Sequence, residues 1–276
     1  MVHGIYEKAV MEKWAVVIIV MVLSASLVAC SEEDNENGSL PSGSSVTEEG
    51  GASTQREQQG YTQAVPEAYK AAADEQGSVV FMEYDSFDYP REGAPITKTA
   101  YVYTPYGYDD EDSKTRYDIV YLMHGWGGHA GEYFDYTATK NVFDHMIANG
   151  DIPPVIIVSP TFYNANSDTD FAGSIAELRS FHRDFEACLM PAVEGRFHTY
   201  AASASPEDLA ASRNHRVFGG FSLGSVTTWL QFCYDHEYIS GFLPMSGVVA
   251  LSDGEGRALV VEGGHRDARG HQSLPP

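Results

Sequence analysis

Three short apolar runs, each followed by turn residues, constrain the fold of this chain more than any other feature. They are YDIVYLMHG (117–125), PVIIVSP (154–160) and HRVFGGFS (215–222). Nearly continuous apolar character in so short a run is typical of strands buried on both faces of a parallel sheet. Segments with helical periodicity, 141–150 and 174–197, lie between them. The alternation predicts an α/β fold built from βαβ units.

The flanking segments extend this pattern. SVVFMEYDSF (78–87) and TKTAYVYTP (97–105) are rich in Val, Tyr and Phe and alternate in part, which predicts an opening antiparallel pair. Residues 223–236 predict a helix, and ISGFLPMSG (239–247) predicts a further strand. Pro191 is expected to kink the second helical segment or to start a new turn, because proline lacks the N–H and clashes with the preceding turn.

Composition narrows the classes of partner. The chain has 276 residues, 43% of them hydrophobic, which suits a folded core in one or two domains. Its formal net charge of −22 argues against a nucleic-acid partner, since such binding requires Lys and Arg to neutralise phosphates. Cys188 and Cys233 lie in apolar helical contexts that predict buried free thiols. A disulfide between them is the alternative in an exported protein.

The first 64 residues predict an export signal and a spacer. Residues 11–30, MEKWAVVIIVMVLSASLVAC, have a charged start, an apolar run and small residues before Cys30, so 1–30 is interpreted as a signal. LVAC resembles the lipobox of bacterial lipoproteins, which implies cleavage before Cys30 and acylation of its thiol; an ordinary signal peptide or an uncleaved anchor is the alternative. Residues 31–64 are acidic and Gly/Ser-rich, typical of a flexible linker. The globular domain is expected over 65–276, at the outer face of a bacterial membrane and bound to it only through the lipid.

A serine lies at the junction between a predicted strand and a predicted helix. Gly220-Phe221-Ser222-Leu223-Gly224 matches G-x-S-x-G in the context that gives this motif meaning. The sharp turn is expected to strain the backbone at Ser222 and to leave room only for glycine at Gly220 and Gly224. It exposes the hydroxyl above a helix N-terminus, where N–H groups favour negative charge. Ser222 is therefore the predicted nucleophile.

A nucleophile of this kind needs an oxyanion hole with two converging N–H donors. One is the amide of Leu223, and the other comes from the loop HGWGGHAGEYF (124–134), where Gly125 and Trp126 lie closest to the strand end. We interpret His124 as a residue that shapes this loop and takes no part in the chemistry. The Trp126 side chain is either a wall of the binding site or a packed loop residue.

Four segments together resemble the esterase-D-like carbohydrate esterase family, which includes feruloyl esterases and acetylxylan esterases. They are residues 101–128, 151–163, 184–201 and 215–229, and the likeness extends over about 65–247. The resemblance implies an α/β-hydrolase fold, a three-layer sandwich with a mostly parallel central sheet. It also implies a Ser/His/Asp mechanism on feruloyl or acetyl esters of plant xylan, with no metal or organic cofactor.

The same resemblance assigns individual residues. It implies that Ser222 is the nucleophile, and that the Leu223 amide and the loop at Gly125 and Trp126 form the oxyanion hole. Tyr163 falls in a loop that borders the acyl site in this family, with an ordinary surface aromatic as the alternative. The implied partner is an acylated plant cell-wall polysaccharide or oligosaccharide.

Residues 246–276 depart from the family pattern, being rich in Gly, Arg and His and lacking aromatics. In one interpretation RALVVEGGH (257–265) is a final strand, His265 is the base and Asp253 is the acid, with Glu255 close by. In the other, which we favour, the end of the chain is frameshifted or truncated and the C-terminal strands are incomplete. The triad order Ser, Asp, His normally requires two further βα units after this point, and these take more than the 31 residues of 246–276.

These interpretations leave several functions open. The first is an exported serine esterase that acts on acylated xylan. The second is a catalytically impaired chain that retains binding of carbohydrate or acyl groups, because a serine without a base is a weak nucleophile. The third is an acyltransferase or small-ester hydrolase of the same fold, such as the S-formylglutathione hydrolase type, which the predicted export disfavours.

Overall fold

The computed structural model describes residues 64–112 and 114–247 in full, together with the backbone of residues 251–252 and 258–259. A six-stranded sheet in the order β1-β2-β4-β3-β5-β6 forms its centre. β1 and β2 pair antiparallel, as do β2 and β4, whereas β4, β3, β5 and β6 run parallel to one another. The strands are β1 Ser78–Phe87, β2 Pro95–Thr104, β3 Asp118–Met123, β4 Val155–Pro160, β5 Arg216–Phe221 and β6 Gly241–Met245.

Helices cover both faces of this sheet, which confirms the predicted three-layer sandwich. On β3, Tyr121 and Leu122 are both fully buried but belong to opposite faces. Tyr121 packs in a cluster with Phe181 and Phe185, whereas Leu122 packs in a second cluster with Phe143. Burial on both sides explains why the sequence of this strand is apolar without alternation.

The helical segments differ in length and regularity. Of the two expectations for Pro191, the start of a new turn is confirmed. A π-helical turn, Phe185–Leu189, precedes it, and Pro191 lies in the first turn of the following helix, where its missing N–H is tolerated. A 3₁₀ turn, Arg213–His215, precedes β5. The α-helices are α1 Glu67–Lys70, α2 Glu132–Asp135, α3 Thr139–Ala148, α4 Phe171–Asp184, α5 Met190–Glu194, α6 Pro206–Ala211 and α7 Leu223–Tyr234.

Both cysteines of the globular domain carry free thiols, so the alternative of a disulfide is wrong. Cys188 is buried, with its Sγ 3.6 Å from the Tyr89 hydroxyl, and burial raises the pKa of its thiol. None of the helices in the described residues has the length and apolar character needed to cross a membrane. Cys30, the predicted signal and nearly all of the predicted linker lie outside the described residues.

Two short strands follow the main sheet, β7 Leu251–Ser252 and β8 Ala258–Leu259. They pair antiparallel with each other in a separate two-stranded sheet. Ala258–Leu259, within the segment 257–265 interpreted as a final strand, thus forms a strand, but it pairs with β7 and not with the central sheet. A short connection favours local hairpin pairing over addition to a distant sheet edge. Asp253, Glu255 and His265 lie outside the described residues.

Candidate active site

Ser222 occupies a strained turn between β5 and α7. Its backbone has φ 57° and ψ −114°, a left-handed conformation that side chains rarely adopt. Such a residue costs on the order of 1–3 kcal/mol and persists only where its surroundings fix it. Here the Ser222 N–H donates to the Met245 carbonyl at 3.0 Å, which ties the turn to the end of β6. The backbone geometry agrees with the predicted nucleophile elbow.

The two motif glycines are sterically required. A Cβ on Gly220 would lie 2.5 Å from the Gly224 carbonyl oxygen and 2.7 Å from that of Met123. A Cβ on Gly224 would lie 2.7 Å from the His124 carbonyl oxygen. These distances are shorter than van der Waals contact, so the backbones of the elbow and of β3 approach closely only because both residues are glycine. This agrees with the expectation from the sequence.

The predicted oxyanion loop passes directly beside the serine. A Cβ added to Gly125 would meet the Ser222 Cβ at 3.3 Å and the Phe221 carbonyl at 3.4 Å. Leu223 is the first residue of α7, so its N–H is among the first-turn amides that have no acceptor within the helix. The structure thus brings Ser222, Leu223 and Gly125 together at the carboxyl end of β5.

His124 fixes the orientation of this loop. It is 1% exposed; its Nδ1 lies 2.7 Å from the Gly125 carbonyl oxygen and its Nε2 lies 2.7 Å from Thr161 Oγ1. A carbonyl only accepts, so Nδ1 carries the proton and Nε2 accepts from the Thr161 hydroxyl. Desolvation by burial lowers the pKa of His124 to about 4, which keeps the ring neutral.

This hydrogen bond also directs the next amide. In a trans peptide the C=O and the following N–H point in opposite directions. The Gly125 carbonyl is held by His124 and also accepts from the Gly128 N–H at 3.3 Å. The Trp126 N–H therefore points away from the buried imidazole. His124 is a positioning residue, in line with our interpretation that it shapes the loop.

Tyr163 supports the same loop from the other side. Its hydroxyl accepts from the Gly127 N–H at 3.3 Å and shares a hydrogen bond with Ser174 Oγ at 2.6 Å. It lines an open cleft of about 460 Å³ together with Trp126, Gly127, Gly128 and Thr169. Tyr163 is half-buried and packs against the core, so it is more than an ordinary surface aromatic. Its predicted contact with substrate stays a prediction.

The Trp126 side chain forms a wall of this cleft. It is 57% exposed, and its Nε1 donates to the Thr169 carbonyl at 3.1 Å. The Phe171 ring packs edge-on against it, with centroids 5.8 Å apart. Of the two alternatives for Trp126, the exposed wall describes its position better than a packed loop residue.

The sequence did not predict one residue that supports the segment bearing Tyr163. Asp88, in the turn between β1 and β2, is 3% exposed and accepts from Asn164 Nδ2 at 3.3 Å and from Asn166 Nδ2 at 3.0 Å. These bonds hold the segment 161–170, which carries Tyr163, against the hairpin. The residues are far apart in the chain, so local sequence patterns contain no signal for the contact.

The predicted base and acid, His265 and Asp253, lie outside the described residues. The Ser222 side chain makes no capping hydrogen bond to α7. What the described site offers is a half-buried serine beside the first-turn amide of α7 and the Gly125 loop, an arrangement suited to an ester carbonyl whose oxygen gains negative charge.

Two known proteins are similar to this chain in sequence. Endo-1,4-beta-xylanase Y of Acetivibrio thermocellus is 37% identical over 183 residues, which cover 66% of this chain and 15% of that protein. The endo-1,4-beta-xylanase/feruloyl esterase of Xylanibacter ruminicola is 31% identical over 139 residues, covering 48% and 17%. The chain therefore spans less than a fifth of the length of these relatives.

Solved structures show the same fold. A structure described as FAE is 35% identical, with a TM-score of 0.58 over 68% of this chain and 60% of that one. The feruloyl esterase module from Clostridium thermocellum, solved with sinapinate, is also 35% identical, with a TM-score of 0.53 over 63% and 55%. Residues 96–242, more than half of the chain, match the family model Esterase. This protein thus belongs to the Esterase family and has the α/β-hydrolase fold that its sequence predicts.

Proposed function

We propose that this chain is a serine carboxylic-ester hydrolase that removes feruloyl or acetyl groups from plant xylan. The observation that carries the proposal is the left-handed backbone of Ser222 at the tip of β5, with Gly125 in contact with it. Strain of this kind is concentrated at functional sites, where it presents a side chain that a relaxed turn would hide. The family supports the reaction class.

The reaction follows from the arrangement. Ser222 Oγ attacks the ester carbonyl, and the N–H groups of Leu223 and Trp126 bind the oxyanion of the tetrahedral intermediate. The serine proton passes to a base and then to the departing alcohol, and water hydrolyses the acyl-enzyme. His265 is the base that the sequence offers, with Asp253 as its acid.

The substrate class is supported by the relatives. Two curated relatives are named as xylanases, and one of these also as a feruloyl esterase. The structure from Clostridium thermocellum holds sinapinate, an aromatic acid. Export and anchoring through Cys30 belong to the same proposal, since a polymeric substrate lies outside the cell. Fatty-acid labelling of the expressed chain tests the anchor, and an unlabelled product would contradict it.

The test of the activity is hydrolysis of methyl ferulate and of aryl acetates by the full chain and by its Ser222→Ala variant. We expect the substitution to lower the rate by about a thousandfold or more, because the nucleophile is lost. Ser240→Ala, at an exposed serine of the same domain, is the matched control and is expected to keep the parental rate.

A parental rate no higher than that of Ser222→Ala would contradict the activity and favour the catalytically impaired chain. The role of His265 is tested in the same assay. His265→Ala is expected to match the loss seen for Ser222→Ala, and activity that survives this change would exclude His265 as the base.

A further inference from the structure

We propose that Trp126 and Phe171 form a sugar-binding platform on which a pentose ring of the esterified polysaccharide stacks. The inference rests on the proposed function and extends it from the acyl group to the alcohol side of the substrate. These two aromatic side chains take no part in cleaving the ester bond, and the proposal gives them a contact with the substrate.

The exposure of these side chains is the first observation. Trp126 is 57% exposed and Phe171 is 56% exposed, although both are large and apolar. Their rings pack edge-to-face at 5.8 Å with an interplanar angle of 85°. Single exposed apolar residues are common, whereas paired exposed aromatics beside a cleft mark a binding surface.

The second observation is that the platform is preformed. The only hydrogen-bond donor of the indole, Nε1, is already used by the Thr169 carbonyl at 3.1 Å. Phe171 is the first residue of α4, whose N-terminus is capped by Asp170 through the Gly173 N–H at 2.7 Å. With the indole held by this bond, ligand binding would cost little side-chain entropy.

The third observation is position. Trp126 directly follows Gly125, and Gly125 lies against Ser222. Consecutive Cα atoms are about 3.8 Å apart, so the backbone that carries the indole lies next to the serine that accepts the acyl chain. When the carbonyl oxygen is in the oxyanion hole, either the acyl group or the alcohol of the ester extends along this side of the serine.

The openness of the surface favours a sugar over the aromatic acid. A small acyl group is normally enclosed, with most of its surface buried. Trp126 and Phe171 instead face solvent. A surface that contacts one unit of a long polymer must be open in this way, because the polymer continues past the enzyme on both sides. Sugar C–H groups suit the electron-rich face of an indole, and the exposed carboxylates of Asp168 and Asp170 can accept hydrogen bonds from hydroxyls.

The test uses unesterified arabinoxylo-oligosaccharide, so that binding is measured without hydrolysis. We expect it to quench the tryptophan fluorescence of the full chain. Trp126→Phe is expected to abolish this quenching, whereas Trp229→Phe, a matched change at a half-buried tryptophan of α7, is expected to retain it. Phe171→Ala is expected to raise the dissociation constant of the oligosaccharide roughly fivefold to tenfold.

Absence of quenching in the parent, or quenching that persists in Trp126→Phe, would overturn the proposal. Quenching by free ferulate and not by the oligosaccharide would also overturn it, in favour of an acyl-side contact. Sugar binding in a chain that cleaves neither methyl ferulate nor aryl acetates would refute the proposed function and leave the platform standing. The two failures are therefore distinguishable.

Discussion

The two ends of β5 present opposite solutions to placing polar groups in a protein core. At its amino end, Arg216 is 1% exposed, and its Nε and Nη2 donate to the Glu194 carboxylate at 2.5 and 2.8 Å. At its carboxyl end, Ser222 has a strained backbone, and its side chain does not cap the helix that follows. The fully paired charge and the predicted nucleophile are six positions apart in the chain.

The paired end is held by a network. Glu194 also accepts from the Tyr121 hydroxyl at 3.1 Å and from Thr199 Oγ1 at 3.0 Å. Burial, and next the Glu194 carboxylate, raise the pKa of Tyr121, so this hydroxyl remains a donor. The comparison teaches that a strand can present a reactive, strained residue at one end when its other end is fixed by satisfied polar contacts.

The largest effect on stability is expected from breaking the Arg216–Glu194 ion pair at the amino end of β5. Glu194→Gln keeps the shape of the side chain but leaves the Arg216 charge buried and uncompensated. We expect the free energy of unfolding to fall by about 4 kcal/mol, the range found when one partner of a buried ion pair is removed. Urea denaturation measures it, with Glu83→Gln at an exposed site of β1 as control. Equal stability of the two variants would show that the pair does not anchor the strand.

The next effect is the pH dependence of stability that His124, beneath the predicted oxyanion loop, contributes. The folded pKa of His124 is about 4, below its usual value of 6.5. Between these values the unfolded chain binds more protons than the folded one, so acidification destabilises the fold. We expect this group alone to contribute a loss of up to about 3 kcal/mol between pH 7 and pH 4.

Denaturation at a series of pH values, for the parent and for His124→Gln, isolates this contribution. The slope of unfolding free energy against pH between about 4 and 6.5 is expected to be shallower in the variant. The same slope in both proteins would mean that His124 does not stay neutral in the fold.

The smallest effect on stability is expected from relieving the backbone strain at Ser222, at the carboxyl end of β5. Ser222→Gly removes the side chain that is unfavourable at φ 57°. We expect the variant to lose esterase activity while its free energy of unfolding rises by about 1 kcal/mol. Thermal unfolding compares it with Ser222→Ala, which keeps a Cβ and hence the strain. A glycine variant no more stable than the alanine variant would show that Ser222 stores no strain.

The strands, the elbow and the oxyanion loop were predictable because their signals are local. An apolar run identifies β3, and a glycine on each side of Ser222 identifies the turn. The contact of Asp88 with Asn166 was not predictable, since it joins residues 78 positions apart through side chains with no periodic pattern. The exposure of Trp126 likewise depends on how its loop meets residues 161–170, which its neighbours in sequence do not encode.

The Asp88 contacts have a consequence for engineering. The segment that bears Tyr163 and Thr169 is bound to the turn between β1 and β2 through Asn164 and Asn166. It therefore behaves as one half of a two-part module, not as an independent loop. Grafting this segment from a relative to change acyl preference would succeed only if the hairpin turn were transplanted with it.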